Sequence, residues 1–182
     1  MIVQLSPARG GFLRPFGCGW FIREFLLGHG PEGRPKIDPN KGAVQADIFY
    51  HYKTALLRAT ALDRAPGLEE KMARREKRTI QPDAIERLTK SLLARLAYKT
   101  RSCRYHSFVV YFHNLIRLGW VEPWGVTEPS AFQEHYAPGP PRRYYRLTAA
   151  GMAAPPVAWA NPLATLLPRL APAPRLAPWG QK

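Results

Sequence analysis

RRYYRLTAAG, residues 142–151, is a short basic and aromatic run closed by Leu-Thr and a glycine. A period of two puts Arg143, Tyr145 and Leu147 on one face and Arg142, Tyr144 and Arg146 on the other. Tyr145 and Leu147 are expected to face a core, with Arg143 emerging at its edge. WVEPW, residues 120–124, has matching strand character, so the two runs, about 120–124 and 142–148, read as a hairpin. The segment joining them, GVTEPSAFQEHYAPGPP, is long and carries Glu128 and Glu134. An acidic tip is a poor phosphate ligand, so nucleic-acid contacts on this hairpin would fall to Arg142, Arg143 and Arg146.

Immediately upstream, CRYHSFVVYFHNLIRLG runs from a plausible N-cap at Ser102 to a glycine stop at Gly119, which predicts a helix over about 103–118. At 100° per residue, Phe108, Phe112, Leu115 and Ile116 share one side, flanked by Tyr105 and Val109, and that side is the expected core contact. The other side collects His106, Ser107, Val110, His113, Asn114 and Arg117, with Tyr111 at its margin. Histidine, serine and asparagine can exchange hydrogen bonds with base edges, and Val110 can meet a thymine methyl in the major groove. Arg101 and Arg104 at the helix entry suit phosphates. Before them, Pro82, Asp83 and Glu86 open another helix whose stripe is Ile85, Leu88, Leu92 and Leu96, with a turn at Tyr98 to Arg101. The order is then helix, turn, helix, strand, strand.

On NLIRLGWVE followed by RRYYRLTAAG the chain resembles the winged helix-turn-helix proteins, including PadR-like and MarR-like bacterial transcriptional regulators. In that family the recognition helix closes on a Leu-Gly turn, and the second strand of the wing commonly reads Tyr-x-Leu-Thr-x-x-Gly, as Tyr145, Leu147, Thr148 and Gly151 do here. The likeness covers residues 82–151. It implies a mainly α fold with a small β-hairpin, a winged helix-turn-helix with extra N-terminal and middle helices. It also implies sequence-specific binding of double-stranded DNA, as a transcriptional regulator. The expected DNA-binding residues are Arg101, Arg104, His106, Ser107, Val110, Tyr111, Asn114, Arg117, Arg142, Arg143 and Arg146. Winged helices also serve in protein assembly, and a plasmid or phage replication factor is a further alternative.

Outward from this core the chain divides into 1–62, N-terminal helices and a loop; 63–81, a charged connecting helix; 82–151, the helix-turn-helix core; and 152–182, an Ala/Pro-rich tail expected to be largely disordered. GWFIREFLL, Gly19 to Leu27, reads as a short buried helix stopped by Gly28 and Gly30. QADIFYHYKTALLRATAL, Gln45 to Leu62, places Ile48, Phe49, Tyr52, Ala55 and Leu56 at helical steps, with His51 an ordinary boundary residue. A break is expected at Pro66-Gly67, followed by the solvated charged helix EEKMARREKRTI. Either extra helical stretch, Gln45 to Leu62 or Glu69 to Leu96, offers a surface for a homodimer.

The 182 residues, 46% of them hydrophobic, are enough for one core with appendages. The formal net charge of +14 favours a polyanionic partner. From Lys71 to Arg104, eleven Lys or Arg stand against Glu76, Asp83 and Glu86, a local balance of +8. Cys18 and Cys103 have neither disulfide-framework nor metal-ligand spacing, no nucleophile–base pattern is present, and Cys103 near His106 lacks a pocket-forming context. The expectation is therefore no enzyme, no metal and no cofactor. With no signal-peptide core and no membrane span legible, a cytoplasmic, nucleoid-associated protein is expected.

Overall fold

The computed structural model describes residues 6–7, 13–14, 17–29, 37–95, 105–129 and 139–166. Two short strands, β1 (Ser6–Pro7) and β2 (Leu13–Arg14), pair antiparallel ahead of α1 (Gly17–Leu26). The apolar run of α1 sinks Phe21, Ile22, Phe25 and Leu26 into the core. The helix stops where its glycine predicts. Gly28 has φ +79, its N–H bonds the Phe25 carbonyl, and the His29 N–H reaches back to Glu24.

Strand β3 (Ala43–Val44) leads into α2 (Gln45–Glu76), a single helix of 32 residues. Its first half buries Ile48, Phe49, Tyr52 and Leu56, as their spacing predicts. His51 is half-buried and stacks on Phe25 with ring centroids 5.3 Å apart; burial lowers its pKa against the opposing pull of Asp47.

The expected break at Pro66-Gly67 does not occur, and the charged stretch after it continues the same helix to Glu76. Pro66 forfeits one main-chain hydrogen bond. Burial compensates: Ala61, Ala65, Glu69 and Ala73 recur every four residues and are all buried, and this half of α2 packs along α3 (Pro82–Arg95). The helix ends instead at Lys77, a non-glycine residue in the left-handed region at φ 54. Together the distal half of α2 and α3 form a helical arm whose buried residues lie outside the main apolar cluster.

Helix α4 (Tyr105–Arg117) follows, with Phe108, Phe112 and Leu115 buried as the wheel predicts. Gly119, at φ +69, ends it: its N–H bonds Ile116 and the Trp120 N–H bonds Leu115. Strands β4 (Val121–Glu128) and β5 (Arg142–Leu147) form the expected hairpin, and β3 adds to the other side of β5, giving a three-stranded antiparallel sheet of order β3-β5-β4. Leu147 is buried, and the Tyr145 ring meets Phe112 edge-on at 5.0 Å, so the inward face of β5 is as read. Strand β4 runs past the expected end at Trp124. Its register shifts between Pro123 and Thr127, where Gly125 has φ +64, and this bulge lets pairing resume out to Glu128.

The Leu-Thr-x-x-Gly ending now has a physical account. Thr148 donates its hydroxyl hydrogen to the Gly119 carbonyl (2.5 Å) and accepts the Gly151 N–H (3.0 Å), capping α5 (Ala149–Ala153) while tying it to the turn after α4. A Cβ on Gly151 would collide with the Trp120 backbone. Residues 152–166, expected to begin a disordered tail, instead form the end of α5, α6 (Pro156–Ala160) and α7 (Pro162–Leu166). The reason is Trp159. It is fully buried, packs at a tilt against the Trp120 ring with centroids 4.8 Å apart and donates its indole N–H to the Gly151 carbonyl.

Candidate nucleic-acid interface

Helix α4 is divided between core and surface. Phe108 packs on Phe49 of α2 with ring centroids 5.2 Å apart, which fixes the rotation of the helix. That rotation leaves His106, Ser107, Val110, His113 and Arg117 exposed and Asn114 half-buried. These residues are brought together on one surface. Arg101 and Arg104, expected to hold phosphates at the helix entry, lie outside the described residues.

Tyr111 is a correction to the expected contact set. It is half-buried against the start of α1, where its hydroxyl hydrogen-bonds the Gly19 backbone, and burial first, then Cys18, pushes its pKa up. A Cβ on Gly19 would meet the Tyr111 hydroxyl, the Trp159 carbonyl and Pro162, so three elements close over this flank of α4. Tyr111 therefore serves packing there. The sequence margin at which it sits could have gone either way.

The arginines of β5 differ among themselves. Arg142 bonds both carboxylate oxygens of Asp47, at 2.8 and 3.0 Å. Arg146 bonds Glu122 at 2.8 Å and lies 3.5 Å over the Trp124 ring. Arg143 is exposed and carries no ion pair among the described residues. Such partly exposed pairs are worth about 0–1 kcal/mol, so a phosphate can compete for Arg142 and Arg146, whereas Arg143 needs no exchange. Beside it, Pro123, Gly125, Thr127, Arg143 and Tyr144 line a depression at the bulge.

Glu128, read as part of an acidic loop tip, is the last residue of β4 and is tied down. Lys41 approaches it at 3.4 Å and lies 4.9 Å from the Tyr144 ring centre. A hydrogen bond from Tyr144 lowers the pKa of Glu128, and the bond to Glu128 raises that of Lys41. Glu134 is outside the described residues. Lys41 and Asp47 were not legible as partners of the hairpin, because nothing local indicates that β3 pairs with a strand a hundred residues later.

A second correction concerns the helix before α4. Residues 82–95 do form a helix, but α3 packs along the distal half of α2, and it is Phe49 and Tyr52 of the proximal half that meet Phe108. The joining turn lies outside the described residues. Comparison with protein-family models, curated proteins and solved structures found no match.

The surface chemistry thus carries the functional argument. Among the described residues no three His, Cys, Asp or Glu side chains are grouped to hold a metal ion, and no helix is long and apolar enough to cross a membrane. Electrostatics on the arm are one-sided. Its carboxylates are largely engaged internally, Glu70 by Arg74, Glu86 by Lys90, and Glu69 and Glu76 by Arg78.

Proposed function

We propose that the chain binds double-stranded DNA, with α4 in the major groove and the β4–β5 hairpin on the flanking backbone, as a sequence-specific transcriptional regulator. The observation that carries this reading is the division of α4: one side is locked by Phe108, Phe112 and Leu115, and the other presents His106, Ser107, Val110, His113 and Arg117. A helix so held presents a rigid face of the width the major groove accepts. The order of elements also supports a winged-helix arrangement. Helix α1, strand β3, the proximal half of α2, helix α4 and strands β4 and β5 follow in sequence, with the last strand central in the sheet. On this reading the arm is an insertion between the second and third helices, and the helix-turn-helix pair is proximal α2 with α4. The net charge of +14 supplies the attraction to a polyanion.

Selection of bound duplexes from a random library gives the preferred site, and titration at two salt concentrations then tests the reading. Log affinity is expected to fall steeply with log salt. Asn114→Ala should lose about 1–3 kcal/mol on the preferred duplex and relax one position of the motif, while Arg143→Ala should weaken preferred and scrambled duplexes alike and flatten the salt slope by about one unit. Equal loss on both duplexes for Asn114→Ala would refute base reading by α4. No loss in either variant, with a protein partner released instead, would move the assignment to assembly.

A further inference from the structure

The continuity of α2 lines up three cations that the expected break at Pro66 would have separated. Arg64, Lys71 and Arg75 are exposed and carry no ion pair among the described residues. On one unbroken helix they fall within about 40° of each other, over about 16 Å of its length. The side that packs on α3, marked by Ala61, Ala65, Glu69 and Ala73, is centred about 120° away. Asp63 and Glu70 lie about 100–120° off in the other direction, and Glu70 is already paired with Arg74. Phe49 and Tyr52, which meet Phe108 of α4, lie about 60° and about 120° from the stripe. The stripe thus flanks the side of α2 on which α4 sits, with Asp63 and Glu70 on the far edge of that side. The α2–α3 turn is pinned, since Arg78 bonds the buried Glu69 from across it and the Gln81 N–H bonds the same carboxylate.

We propose that Arg64, Lys71 and Arg75 form a second phosphate-binding surface, which takes the backbone of the same duplex beyond the stretch covered by α4. The inference rests on the duplex-binding reading. Along α2 the stripe begins about 22 Å and ends about 39 Å from Phe49. At about 3.4 Å per base pair, the duplex footprint is extended by about 6–11 base pairs on one side.

The test compares the full chain with a triple variant, Arg64→Gln, Lys71→Gln and Arg75→Gln, on synthetic mixed-sequence duplexes of about 8 base pairs, closed by a hairpin, and about 20 base pairs, the first too short to reach the far end of the stripe from α4 and the second longer than the combined reach. Glutamine keeps helix propensity, and a circular dichroism spectrum and melting curve matching the parent establish that the arm is intact. On the longer duplex the variant should bind about tenfold more weakly at low salt, with a salt slope smaller by about three units, while on the shorter duplex the two proteins bind alike. Equal binding of both proteins to the longer duplex, as follows if the stripe meets an acidic protein instead, overturns the second surface and leaves the α4 reading standing. Equal weakening on both lengths also overturns it, since the cations would then act only through the general field. Absence of salt-dependent binding by the parent on either duplex defeats the duplex-binding reading, and this inference with it.

Discussion

Between Ile48 and Ala59, α2 packs Phe49 and Tyr52 into a ring cluster with Phe21 and Phe108, whereas between Ala61 and Ala73 it buries only alanines, Thr60 beside them and one carboxylate. Each fully buried aromatic in the proximal half removes enough apolar surface to contribute about 1.5–3 kcal/mol. The alanines of the distal half supply far less, but they let α3 approach closely and orient Glu69 toward Arg78. One helix is therefore held by apolar volume at one end and by polar geometry at the other. The proximal half is expected to unfold only with the whole domain, and the arm to open on its own.

The largest effect should come from Phe112→Ala, with a loss of about 3–5 kcal/mol in denaturant titration, because the fully buried Phe112 joins the ring cluster at Phe108 to Tyr145 of the sheet. Hydrogen exchange should then quicken through α1, proximal α2 and α4 together; quickening confined to α4 would break the idea of one cooperative core. Next is Glu69→Gln. Hydrogen bonds from Arg78, then the Gln81 amide, hold the Glu69 carboxyl down to about 2. Because the folded value is depressed, its contribution is complete above the ordinary carboxylate range, about 4.3, and fades as pH falls from there through about 2. The arm amides should lose protection in that acid window before the core amides do, and in Glu69→Gln at neutral pH as well; simultaneous loss in core and arm would join the two halves.

A smaller change is expected for Thr148→Ala, which removes the cap on Gly151 and the bond to Gly119 and should cost about 1 kcal/mol, read as a lower melting temperature with arm exchange unaltered. The smallest effects concern backbone fit in the arm. Gly67 is helical with open space where a Cβ would stand, so Gly67→Ala should stabilise the arm by about 0.5–1 kcal/mol. Lys77 is left-handed, and Lys77→Gly should relieve a cost of about 1 kcal/mol. Slower exchange in α3 for either variant is the expected readout, and faster exchange would mean that the arm is not limited by its backbone.

Much of the fold was legible because its signals are local and agree with one another. The stripe Ile48, Phe49, Tyr52, Leu56 and the stripe Phe108, Phe112, Leu115 have a period that only a helix can bury on one side, and Gly28 and Gly119 adopt positive φ where the apolar pattern stops. The candidate surface on α4 was legible for the same reason, being the complement of a buried stripe. Tyr111 was not, because a residue at the margin of a wheel is assigned by its neighbours, here Gly19, Trp159 and Pro162 from distant parts of the chain.

The sequence by itself determined the identity of the core faces, the hairpin with its inward Tyr145 and Leu147, and the excess of positive charge, since each depends on residue type and spacing alone. Only the tertiary structure decided that α2 passes through Pro66-Gly67, that α3 packs on α2, that β3 joins the hairpin, and that Trp159 folds 152–166 onto the core. In each case the deciding contact is supplied by residues far away in the chain; at Pro66-Gly67 its burial outweighs a local breaker that costs about 1–3 kcal/mol.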